Sequence, residues 1–112
     1  MNKNEYHNYI ENDWKLFKSK ISLWQEKYIH HLNEEYITIL SQKKSSSENF
    51  IELVKRIDRD RHRPGVIIEL RKSMMVVNLI DLLIDGVITM KALDDFSNEL
   101  KEELRPWKKY SS

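Results

Sequence analysis

Cysteine is absent from this 112-residue chain, and glycine and proline occur only twice each. Without cysteine there is no disulfide framework, no thiol nucleophile and no thiolate metal site, which suits a cytoplasmic protein. So little glycine and proline argues against a turn-rich β fold and leaves no glycine-rich loop to cradle a nucleotide phosphate. Net charge is nearly missing too: 19 Lys and Arg face 18 Asp and Glu, a formal +1. No global field therefore draws the protein to nucleic acid or to a membrane. A bilayer span takes about 20 apolar residues, and the longest uncharged run here is 73–80. Residues 1–5 lack the apolar core of a signal peptide. There is no GxSxG elbow and no Cys/His nucleophile arrangement, so enzyme activity is not expected.

What the chain does have is helical periodicity. Its most apolar stretch runs from Val66 to Ile88. The polar residues Arg71, Asn78, Asp81 and Asp85 recur there at spacings of seven, three and four, so they share one narrow side of a helix. Pro64-Gly65 reads as a start signal. Asp85-Gly86 reads as a stop, with Gly86 as the left-handed cap and Val87 folding back on the last turn. The spacing predicts a central helix over about 66–85.

Before it, Tyr6, Ile10, Trp14, Phe17 and Ile21 line one face of a first helix. Ser22 with Gln25 has the form of a capping box, which predicts a break near residues 20–22 and a second helix over 23–42; the competing reading is one continuous helix from residue 4 to about 42. Residues 43–47 read as a linker, and Ser45 with Glu48 offers a further cap. Phe50, Leu53, Val54 and Ile57 mark the apolar face of a helix over 47–60. Thr89 is expected to cap a last helix over 90–104, lined by Leu93, Phe96, Leu100 and Leu104. Pro106 ends it, and Trp107 tacks the tail back. The expected fold is all-α: a compact antiparallel bundle of four or five helices around the central helix at about 66–85. A single domain covers 1–104, followed by a tail over 105–112.

The candidate chemistry lies in one basic segment, 55–63. Arg56, Arg59, Arg61, His62 and Arg63, with Lys55, could hold an anion or contact a nucleic-acid backbone. Against this, the alternating signs of Asp58-Arg59-Asp60-Arg61 suggest a self-compensating ionic surface. His30 and His31 are neighbours, so on a helix they diverge by about 100°. With His7 and His62 isolated, no metal site and no cofactor are expected. Glu34-Glu35, Asp94-Asp95 and Glu102-Glu103 diverge in the same way. Asp81, between Ile80 and Leu82, is expected to be buried and paired, with Arg71 as its partner, or to lie on the helix's one solvated stripe. Trp14, Phe17, Trp24, Tyr28, Tyr36, Phe50 and Phe96 fall on apolar faces and read as core. Tyr6, Tyr9 and Tyr110 are left over.

These features point to a small non-enzymatic protein-interaction or regulatory module in the cytoplasm. Its expected partner is another protein or a second copy of itself, as a homodimer. The alternative is a nucleic-acid-binding regulator that uses residues 55–63 and the basic tail.

Overall fold

A computed structural model describes residues 3–110, with side chains over residues 10–108. The side chains of Tyr6, His7, Tyr9 and Tyr110 lie outside the described residues. Every regular element among the described residues is helical. Four α-helices follow in order: α1 (Lys3–Leu40), α2 (Ser46–Asp60), α3 (Met75–Ile84) and α4 (Asn98–Leu104). Short 3-10 turns occupy Lys72–Met74, Met90–Leu93 and Arg105–Tyr110.

The first two expected helices are one. α1 runs unbroken through Ser22 for 38 residues, about 57 Å at 1.5 Å per residue. The break fails because the local capping signal is outweighed by a long stripe. Phe17, Ile21, Trp24, Tyr28, Leu32 and Ile39 all line the covered side of the helix, and Ser22 is exposed. Gln25 does not cap its own helix; its Nε2 donates to the Pro64 carbonyl at 3.1 Å. The rod also makes the molecule elongated, 63 × 25 × 17 Å, where a compact bundle was expected.

Different elements cover the two halves of the rod. On the N-terminal half, Phe17 and Ile21 enter a core with Met75, Leu79, Leu82, Leu83, Ile88, Leu93, Phe96, Leu100 and Leu104. Trp14, Phe17, Trp24 and Phe96 form a chain of tilted rings with centroids 6.0, 6.2 and 6.3 Å apart. Such pairs add to simple area burial. On the C-terminal half, α2 folds back antiparallel after a short turn. Ser45 is its N-cap, and its hydroxyl accepts from the Glu48 N–H at 3.2 Å.

The central helix expected over 66–85 is only α3, Met75–Ile84. Residues 67–71 are non-helical. They form a strap that carries the chain from the base of α2 to the start of α3, and a non-helical chain reaches further per residue than the roughly 1.5 Å of a helix. Just before the strap the chain passes close to α1: Gly65 is buried, and a Cβ built there would clash with the edge of the Tyr28 ring. Asn78 is buried and pins the strap, its Nδ2 donating to the Glu69 carbonyl at 2.9 Å. Of the two places expected for Asp81 the structure has the solvated one: it is exposed rather than buried and paired. Arg71 pairs with Glu69 instead. The stop at Gly86 forms as its residues predict. Gly86 has φ +73; its N–H donates to Leu83 at 3.2 Å, and that of Val87 to Leu82 at 2.9 Å.

The last expected helix is split. Thr89 makes no side-chain cap, Met90–Leu93 is a 3-10 turn, and α4 begins at Asn98 with Ser97 as N-cap. The cause lies 84 residues away in α1. Asp13 is buried and accepts from the Ser97 N–H at 2.9 Å and from its hydroxyl at 2.5 Å. Arg105–Tyr110 then packs on α3 and α4, with Trp107 against the core.

The crossing at Gly65 is testable. Gly65→Ala should lower the unfolding free energy by about 1–3 kcal/mol, the usual cost of overpacking, in urea titration. On a Tyr28→Ala background the same change should cost much less, because the clashing ring is gone. An equal cost on both backgrounds would remove the ring as the reason for glycine.

Candidate interaction surface on the helical hairpin

The hairpin of α1 and α2 has two unlike sides. One is charged and centres on Asp60, the last residue of α2, which is 1% exposed. Three arginines of the basic segment converge on it. Arg59 Nε lies 3.1 Å from Oδ1, Arg63 Nε 3.3 Å from Oδ1 and Arg56 Nε 3.8 Å from Oδ2. The Tyr36 hydroxyl donates to Oδ2 at 2.7 Å. Arg56 also reaches Glu35 at 3.1 Å, and Arg63 reaches Asp85 at 2.9 Å. Asp60 thus joins α1, α2 and, through Arg63, the C-cap of α3.

Burial pushes the Asp60 carboxyl up, but the Tyr36 hydrogen bond and the Arg59 and Arg56 charges outweigh it and hold it below the ordinary carboxylate value. Tyr36 moves the other way. Burial and the hydrogen bond to Asp60 push its phenol up to about 12. Beside this cluster lies an open cleft of about 590 Å³, lined by His31, Glu34, Glu35, Thr38, Arg56 and Arg59 among others. It holds both signs of charge, with the arginines facing carboxylates. Of the remaining basic residues, Arg61 lies 3.8 Å from the exposed Asp58, and His62 is exposed. His30 pairs with Glu34 at 2.8 Å. Among the described residues no group of three or more His, Asp and Glu is placed to hold a metal ion.

The other side of the hairpin is apolar. A groove of about 260 Å³ runs between the helices there, lined by Ile29, Leu32, Asn33 and Tyr36 of α1, by Ile57 and Asp60 of α2, and at its base by Arg61 and Val66. Phe50, Val54 and Ile57, at spacings of four and three, extend this side along α2. Ile29, Asn33, Tyr36 and Leu40, at spacings of four, three and four, extend it along α1, with Ile37 at its outer edge. Ile37, Leu40, Phe50, Val54 and Ile57 are between 42% and 64% exposed. The spacing along α2 predicts an apolar face with Phe50, Val54 and Ile57 on it, and Phe50 in the core. The structure keeps the face and leaves it uncovered, because α2 turns Asn49, Arg56 and Asp60 toward α1 instead.

Asp60 as a buried hub and the exposure of the apolar side were both missed from sequence. The period of α2 held a signal for the first: Asn49, Leu53, Arg56 and Asp60 recur at four, three and four. No family model, characterised protein or solved structure matches this chain. No helix among the described residues is long and apolar enough to cross a membrane.

The Asp60 cluster predicts a pH dependence. A carboxyl held below its unfolded value adds stability above that value and loses it as pH falls through the folded value. In urea titration at pH 7, Asp60→Asn should be less stable than wild type by about 1–3 kcal/mol, a figure reduced for the partial exposure of the arginines. The gap should shrink as pH falls towards about 3. A gap of constant size across that range would contradict the charged hub.

Proposed function

We propose that this protein is a non-enzymatic interaction module and that the apolar side of the α1–α2 hairpin is its contact surface. One observation carries this reading: five large apolar side chains stand half-exposed together in a chain that is 33% charged. Scattered exposed apolar residues are ordinary, but a contiguous patch on two adjacent helices marks a contact surface. The charged side supports the same reading. Asp60 and its arginines fix the two helices against each other, so the apolar side is presented on a rigid frame.

The alternative is a nucleic-acid-binding regulator using Arg56, Arg59, Arg61, His62 and Arg63. Its support is the exposure of Arg59, Arg61 and His62 at the end of α2. Its weakness is that the arginines already face Asp58, Asp60, Glu35 and Asp85.

Affinity purification of tagged protein from its native host separates the two. Wild type and Phe50→Asp are each split into nuclease-treated and untreated halves. The interaction reading expects a stoichiometric protein, an untagged copy included, that survives nuclease and is lost with Phe50→Asp. Retention unaffected by Phe50→Asp would overturn the assigned surface. Material that vanishes with nuclease, and weakens in Arg61→Ala, would transfer the function to residues 55–63.

A further inference from the structure

We draw no further inference here: the strongest candidate, the open apolar side of the α1–α2 hairpin around Ile37, Phe50 and Val54, belongs to the contact surface already described, and nothing in the structure shows what covers it.

Discussion

The structure depends on one constraint: a 38-residue helix bears a long apolar stripe, from Trp14 to Ile39 among the described side chains, that the rest of the chain must cover. An isolated helix gains little from propensity and depends on packing of its apolar side. The N-terminal half is covered by α3, α4 and the turns between them. The C-terminal half is covered by α2. The strap after Asp60 exists because the chain must travel from one half to the other. Gly65 is where it passes the rod, close enough to Tyr28 that no side chain fits. Asp13 acts at the other end, where a buried carboxylate of the rod holds the cap of α4 in place.

The hairpin is held differently. Its shared interior is thin, with Leu32 and Ile39 as its buried apolar residues, and its base is fixed by the cluster around Asp60. A buried carboxylate is costly unless its partners are well placed. Here it accepts from a phenol and faces three guanidinium groups. Arg63 extends the network to Asp85, so the orientation of the hairpin is tied to the end of α3. The price of this polar interior is that the apolar residues of α2 are not needed between the helices, and they emerge on the outside.

Local signals were legible in the sequence where they acted alone. Ser45 caps α2, and Gly86 ends α3, because each needs only its immediate neighbours. The apolar stripes of α1 and α2 were legible from their spacing. Signals that compete with distant contacts were not. The capping pattern at Ser22 is overruled by the stripe that runs through it, and the apolar residues 66–70 read as helix although the chain is non-helical where it crosses to α3. Asp13 and Ser97 are 84 residues apart, and nothing local joins them. Asp60 looked like one of two charges in an alternating run, yet it is buried while Asp58 is exposed. Asp81 is exposed on the solvated stripe, the second of its two expected places, since an apolar neighbourhood in sequence does not bury the side of a helix that faces water. Periodicity shows that a side of a helix is apolar, and not what covers it. That is why Phe50 could be placed on an apolar face but not on an open one.

The central claim is that the open side of the hairpin, held in place by the Asp60 cluster, is the contact surface. Amide hydrogen exchange of the protein alone and bound to the protein it captures from its host measures this most directly. The account predicts that exchange within Ser46–Asp60 and the facing turns of α1 slows in the complex. It also predicts that Met75–Ile84 and Asn98–Leu104 exchange at the same rate in both. Slowing confined to the α3–α4 half, or none anywhere, would contradict it.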